Sequence, residues 1–228
     1  MRVRPAPPDA PGVERLLALS DGVVAIALTL LVLSLHVPHL PSNAQDANDA
    51  AWLARQLQDL TDPLISYVIS FYVIAQFWLA HHRTFRLMSG HDEALAWWNF
   101  LFLFTITMLP FTSDLLGQYA SNPLAVDIFA LNLLLASLST VIVVSVAQRK
   151  GLLKPGSHAV ELRTGRVRSL GVGIVVVASM GVAWASPEVA KYMWFLIAVV
   201  PRVLYRFIER RWPLDKEHEV APSSTIPR

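Results

Sequence analysis

Six stretches of mainly apolar residues, each about 20 residues long, dominate this chain of 228 residues. They are residues 16–37, 63–80, 95–111, 124–147, 167–184 and 190–208. A helix rises about 1.5 Å per residue, so each stretch is long enough to cross the apolar core of a bilayer. Only 16% of the residues are charged, against about 25% in soluble domains. The sequence therefore predicts an all-α integral membrane protein with six transmembrane helices per subunit, and it excludes an ordinary soluble enzyme and a disordered chain.

The first and the sixth stretch are less regular than the others. Ser20 and Asp21 interrupt the start of the first, and no small-x-small cleavage site follows it, so we expect a membrane span and not a cleaved signal peptide. Lys191 and Arg202 lie inside the sixth stretch, and Pro201 is expected to kink it because proline removes a backbone hydrogen bond.

The basic residues give the orientation. When the six stretches alternate in direction, all but two of the 19 Lys and Arg residues fall on one side, and only Arg55 and Lys191 fall on the other. Loops rich in Lys and Arg stay in the cytoplasm. We therefore predict a multi-pass protein of the cell (cytoplasmic) membrane with both termini in the cytoplasm.

Three segments lie outside the predicted spans. Residues 1–14 are expected to form a disordered cytoplasmic tail and residues 213–228 a cytoplasmic C-terminal tail, on either side of one transmembrane domain at 15–212. Residues 46–60 place Trp52, Leu53 and Leu57 roughly on one side of a helix, which predicts a short helix lying on the outer membrane interface.

Polar residues inside the spans are the candidate functional residues, because an ionisable group at mid-membrane costs about 2.5–3.5 kcal/mol. Orientation places them all in the cytoplasmic third; they are Arg15, Asp21, His81, His82, Asn99 and Arg168. Arg15 and Asp21 are six residues apart and point to different faces of a helix, so their partners must lie on other helices or other subunits. Two interpretations stay open: a polar clamp that fixes helix packing, or a relay for protons or ions.

The motifs of enzymes and of metal sites are missing from the sequence. The chain has no cysteine, which excludes disulfides and thiolate chemistry, and it has no G-x-S-x-G, P-loop or G-x-G-x-x-G motif. The glycines Gly171 and Gly173 are expected to allow close helix packing. A T-V-G-Y-G filter is also missing. We expect no enzymatic activity, no bound metal and no cofactor.

Two stretches carry a resemblance to a known family. The run from Arg15 to Gly22, R-L-L-A-L-S-D-G, resembles the R-x-x-x-F-S-D signature of the bacterial transmembrane protein 175 family, with Leu19 in place of the usual Phe. Residues 77–85, 99–104 and 109–112 are also similar to that family. Together these segments cover roughly the first half of the chain.

The resemblance implies a cation channel, mainly potassium-conducting, that assembles as a homotetramer around a pore lined by the first helix of each subunit. It implies a hydrogen-bonded network of Arg15, Ser20 and Asp21 with a histidine of the second span, His81 or less certainly His82; Asn99 is expected to join it. It also implies a pore constriction, formed by Ile26, Thr29, Leu30 and Leu33. The expected partners are further copies of the chain, lipid and monovalent cations, with permeant K⁺ in the pore and no nucleic acid.

Helical periodicity agrees with this pore assignment. At about 100° per residue, Ile26, Thr29, Leu30 and Leu33 share one arc of a helix, and Asp21 lies on the far side. The arc is apolar apart from the hydroxyl of Thr29, so it favours a constriction that gates by dewetting and selects ions only weakly to moderately. From the residues alone, plain helix–helix packing explains the same stripe.

The sequence leaves two other functions open. A proton-coupled secondary transporter would use His81, His82 and Asp21 as its relay, although the sequence shows no inverted repeat. A non-conducting scaffold of helices would leak no ions. A flux that saturates and requires a pH gradient would distinguish the transporter from a channel.

Overall fold

The computed structural model describes residues 11–36, 50–154 and 159–211, and within these ranges the chain is helical. The helices are α1 (Pro11–Leu30), α2 (Ala50–Asp59), α3 (Thr61–Arg86), α4 (Glu93–Gln118), α5 (Pro123–Arg149), α6 (Ala159–Ala183), α7 (Pro187–Met193) and α8 (Val200–Arg211). A 3₁₀ turn, Leu31–Ser34, continues α1, and another, Trp194–Ala198, joins α7 to α8. The prediction of an all-α membrane fold is confirmed.

Five helical segments are long and apolar enough to cross a membrane, and they match the first five predicted spans. They are Gly12–Ser34, Thr61–Arg86, Glu93–Gln118, Pro123–Arg149 and Gly165–Ala183. The sixth predicted span is not one helix, because the 3₁₀ turn breaks it just before Pro201. Pro201 has no N–H to donate, and it lies in the first turn of α8, where a helix does not need that donor. The exact count of six transmembrane helices is therefore not confirmed.

The first helix begins a few residues before the predicted domain boundary at 15. Helix α1 begins at Pro11, inside the tail predicted at 1–14, because proline is well suited to the first turn of a helix. The remainder of that tail and the predicted tail at 213–228 lie outside the described residues.

The predicted interfacial segment does contain a helix, α2. Trp52 and Gln56 are half-buried, whereas Leu53 and Leu57 are exposed. The exposed leucines leave an apolar strip of α2 free of contact with the rest of the chain. That α2 lies on the outer membrane interface stays a prediction.

Burial is unequal among the five spans. In α4 and α5, 50% and 56% of the most apolar window is buried, and Phe102 and Phe129 are fully enclosed between them. In α1 only 22% of that window is buried, although α1 is the most apolar of the five. Helices in a bilayer associate through close packing, since lipid is as apolar as the side chains themselves. Helix α1 is thus the least covered of the five spans.

Lys191, which makes the sixth stretch irregular, is fully buried in α7. Its Nζ donates to Glu188 Oε1 at 2.9 Å and lies 3.7 Å from Asp62 Oδ1 at the start of α3. A buried cation is tolerated when it is paired and hydrogen-bonded. The ion pair with Asp62 therefore fixes α7 against the start of α3.

At the opposite end of the bundle, Asp92 links two helices. Its carboxylate accepts a hydrogen bond from the backbone N–H of Leu95, which caps α4, and it pairs with Lys150 at the end of α5. The Lys150 ammonium, with the bond from Leu95, lowers the pKa of Asp92. A carboxylate whose pKa is lowered by folding stabilises the folded state at pH values above its ordinary pKa. This contribution is lost as the pH falls through the lowered pKa.

Close helix contact distinguishes the two glycines of α6. A Cβ added at Gly171 would lie 2.9 Å from the Cα of Pro201, whereas a Cβ at Gly173 would meet no heavy atom within 4 Å. The close-packing prediction is therefore confirmed for Gly171 and wrong for Gly173.

We expect Gly171→Ala to lower the free energy of unfolding by about 1–3 kcal/mol, because the new methyl group would meet backbone that cannot give way. Gly173→Ala should be neutral or stabilising by up to about 1 kcal/mol, since alanine favours a helix more than glycine does. Thermal melts of the two purified variants in detergent check this. Equal losses of stability would contradict it.

Candidate pore helix and polar cluster

All four residues of the predicted constriction lie on the exposed face of α1 and its 3₁₀ continuation. The side chains of Ile26, Leu30 and Leu33 are 59%, 45% and 67% exposed, and Thr29 is exposed between them. The opposite face packs against α3 and α4 through buried residues, which are Val24, Ala27 and Leu31. Among the described residues, none covers this apolar face of α1.

The 3₁₀ turn at the end of α1 keeps Leu33 on the same face as Leu30. Residues three apart eclipse each other in a 3₁₀ helix, so Leu33 lies above Leu30. Thr29 Oγ1 donates to the carbonyl oxygen of Ile26 at 2.8 Å. Because its proton is used within the helix, the oxygen of the Thr29 hydroxyl presents lone pairs outward, as a cation ligand must.

Small residues share the exposed face nearer the start of α1 with Leu19, which is 45% exposed. Ala18, Gly22 and Ala25 are exposed, and a Cβ added at Gly22 would meet nothing within 4 Å. Small residues at helical spacing let helices approach closely within a membrane. The face therefore has room for a neighbouring helix at one end and bulky apolar side chains at the other.

The buried side of α1 carries a directed chain of hydrogen bonds to α3 and α4. Ser20 Oγ donates to the carbonyl oxygen of Leu16 at 2.7 Å and accepts from Asn99 Nδ2 at 3.0 Å. Asn99 Oδ1 lies 2.8 Å from His81 Nε2. Because Asn99 uses its N–H toward Ser20, its oxygen accepts, and His81 must donate from Nε2.

His81 is held by aromatic rings as well. Its imidazole stacks on Phe85 and Phe102, with ring centroids 4.2 Å and 4.7 Å away. Its Nδ1 is buried, and no hydrogen-bond partner for it lies within the described part of the chain. Ser20, His81 and Asn99 are all buried. The cluster thus joins three helices through one bonded path and has no opening toward the exposed face of α1.

Asp21 and His82 make a separate contact beside this cluster. Asp21 Oδ1 accepts from Trp78 Nε1 at 2.8 Å, and the Trp78 ring lies 5.5 Å from the ring of His82. Sequence reasoning missed Trp78, although an indole N–H in a membrane span needs an acceptor. Of the two candidate histidines, His81 contacts the Ser20–Asn99 pair and His82 contacts Trp78.

Arg15 does not join these residues within one chain. It is exposed, and among the described residues no hydrogen bond or ion pair connects it to Ser20, Asp21 or His81. The reason is geometric: five residues along a helix turn Arg15 about 140° away from Ser20, onto the face that holds Ile26. Across the described ranges, no three His, Asp or Glu side chains come together as a metal site requires.

Comparison with known proteins agrees with the resemblance. Residues 15–110 match the sequence model of the family described as endosomal/lysosomal potassium channel TMEM175. A potassium channel of Chamaesiphon minutus is 36% identical over 118 residues, which are 52% of this chain and 56% of that protein. A potassium channel of a Chryseobacterium species is 25% identical over 86% of this chain and 95% of its own length. The human endosomal/lysosomal proton channel TMEM175 is 30% identical over 51% of this chain but only 22% of its own.

A solved structure extends the likeness beyond the matched segment. The crystal structure of a lysosomal potassium-selective channel TMEM175 homolog from Chamaesiphon minutus superposes with a TM-score of 0.69 at 25% identity, over 86% of this chain and 99% of that one. The family match covers α1, α3 and most of α4, the helices that carry the exposed apolar face and the polar cluster. The chain is therefore similar to the TMEM175 family over residues 15–110, as its sequence predicts.

Proposed function

We propose that this protein is one subunit of a potassium-permeable cation channel of the cytoplasmic membrane, in which the α1 helices of several copies, four by resemblance, surround the pore. The observation that carries the proposal is the exposed face of α1. The most apolar span is also the least buried, and Ile26, Thr29, Leu30 and Leu33 all lie on its uncovered side. The relatives named potassium channels support the choice of ion.

In this arrangement the pore has an apolar throat. Ile26, Leu30 and Leu33 of each subunit narrow it, and water leaves a narrow apolar passage unless the passage widens. The hydroxyl oxygens of Thr29 are the polar side-chain atoms on the four-residue arc, so a partly dehydrated cation meets them there. The selectivity for potassium is then moderate, because no ring of carbonyl oxygens replaces the hydration shell of the ion.

The polar cluster has a structural role in this proposal. It ties the start of α1 to α3 and α4 through Ser20, Asn99 and His81, while Asp21 adds the bond to Trp78. Interhelical hydrogen bonds of this kind contribute about 0.6–2 kcal/mol each. Arg15, on the exposed face, meets the neighbouring subunit. The cluster thereby sets the angle at which α1 approaches the pore axis.

Flux through liposomes that contain the purified protein tests the proposal. We expect potassium to leave the vesicles down its gradient with no pH gradient present, and sodium to follow more slowly. Proton flux is measured in the same vesicles, because vertebrate relatives are named proton channels. A flux that saturates and needs a pH gradient would favour a transporter, and no flux above that of empty liposomes would favour a scaffold.

A further inference from the structure

A cavity at the basic end of the bundle lies away from α1. It has a volume of about 620 Å³ and is enclosed by α3, α5, α6 and the segment that joins α7 to α8. Four arginines line it: Arg83 and Arg86 at the end of α3, Arg168 on α6 and Arg202 on α8. The remainder of the wall is largely apolar and includes Phe77, Val144, Val172 and Ile197.

The positive charge in this cavity has no acidic partner in the part of the chain that the structure describes. Among the described residues, none of the four arginines forms an ion pair, and Arg202 donates only to the carbonyl oxygen of Ala198, at 2.8 Å. Arg83 and Arg202 also repel Arg168, which is only partly exposed. Arginines held together without an acid are stabilised by an anion that reaches all of them.

We propose that this cavity binds an anionic phospholipid, with its phosphate on the arginines and an acyl chain along the apolar wall. A free phosphate would satisfy the arginines but would leave the apolar wall empty. A lipid uses both parts, and the arginines lie at the ends of membrane-spanning helices, at the level of the headgroups. Basic pockets between helices on the cytoplasmic side of membrane proteins bind anionic headgroups in this way.

Two pairs of variants test the site in the full-length protein. The first pair removes charge. The double variant Arg168→Gln/Arg202→Gln is compared with the double variant Arg149→Gln/Arg210→Gln. Arg149 and Arg210 are exposed and do not line the cavity. The second pair fills space. Gly165 lines the cavity, and a Cβ added there would meet nothing within 4 Å, so Gly165→Leu is the test variant. Gly173→Leu is its control, because a Cβ there also meets nothing within 4 Å but Gly173 does not line the cavity. The second pair changes no charged residue, so it still tests the site if the variant that lacks two arginines does not fold.

Thermal stability in neutral detergent, with phosphatidylglycerol, phosphatidylcholine or inorganic phosphate added, is the measurement. We expect phosphatidylglycerol alone to raise the Tm of the wild-type protein, because a ligand that binds only the folded state stabilises it. Loss of two arginines should weaken this binding about thirtyfold, at roughly one kilocalorie per mole for each charge. Gly165→Leu should abolish the shift, and both control proteins should retain it.

Three results would overturn the proposal. An equal shift with inorganic phosphate would assign the site to a free anion. An equal shift in the cavity variants and their controls would place lipid binding elsewhere. A change in the oligomeric state of the cavity variants, seen by light scattering, with no change in lipid response would make the cavity an interface between copies of the chain.

Discussion

Leu30→Asn is expected to raise potassium flux through reconstituted protein at least about tenfold. The side chain of Leu30 is 45% exposed on α1, at the centre of the proposed throat. An amide there holds water in the passage and lowers the cost of bringing a hydrated cation through. Each lowering of the barrier by about 1.4 kcal/mol multiplies a rate by ten, and several subunits contribute one asparagine each.

The matched control for this variant is Leu131→Asn on α5. Leu131 is a similarly exposed leucine, at 49%, but it does not lie on α1. Both variants place the same amide on a surface that the single chain leaves uncovered, but in the proposal only position 30 faces the pore. If both raise the flux equally, or neither does, α1 does not line the conduction path.

Asn99→Leu is expected to cause the largest loss of stability among substitutions in the polar cluster. Asn99 lies between Ser20 and His81, and its removal leaves the buried Nε2–H of His81 without an acceptor and the oxygen of Ser20 without its donor, although the Ser20 hydroxyl still donates to Leu16. Each stranded buried group costs about 1–3 kcal/mol. The imidazole cannot turn to find another partner, because Phe85 and Phe102 stack on it.

Asn132→Leu is the control for this second prediction. Asn132 is also buried, but its Nδ2 donates only to the backbone carbonyl of Thr105, which lies within helix α4. Its loss strands no side chain. Melting curves of both variants in detergent compare the two costs; a larger loss for Asn132→Leu would mean that the cluster does not hold α1 in place.

Periodicity predicted the exposed arc of α1 well, because Ile26, Thr29 and Leu30 lie on a regular helix where about 100° per residue holds. The approximate depth of polar residues in the spans also placed His81 and Asn99 at one level, and the family resemblance added Ser20. It did not choose between His81 and His82, since neighbouring residues differ in direction and not in depth. Only the packed helices show which imidazole faces Asn99.

Other features depend on contacts between distant segments, which no local pattern contains. Trp78 lies 57 residues from Asp21, and its apolar ring gives no sign in the sequence of which acceptor its N–H will reach. The four arginines of the cavity come from three helices. In the sequence, each one alone indicates only on which side of the membrane its helix ends. Pro201 predicted a kink, but the structure has a 3₁₀ turn before it and a separate helix that begins at Val200.

Block by cadmium at a single introduced cysteine tests most directly whether α1 surrounds the pore. The chain has no cysteine of its own, so Leu33→Cys places thiols at one position only. Thiolates from several copies around one axis bind a soft divalent ion together. We expect cadmium to reduce potassium flux through Leu33→Cys to that of empty liposomes, reversibly with a chelator, and to leave Leu131→Cys and the wild-type protein unaffected. Block of Leu131→Cys, with Leu33→Cys still conducting, would contradict a pore lined by α1.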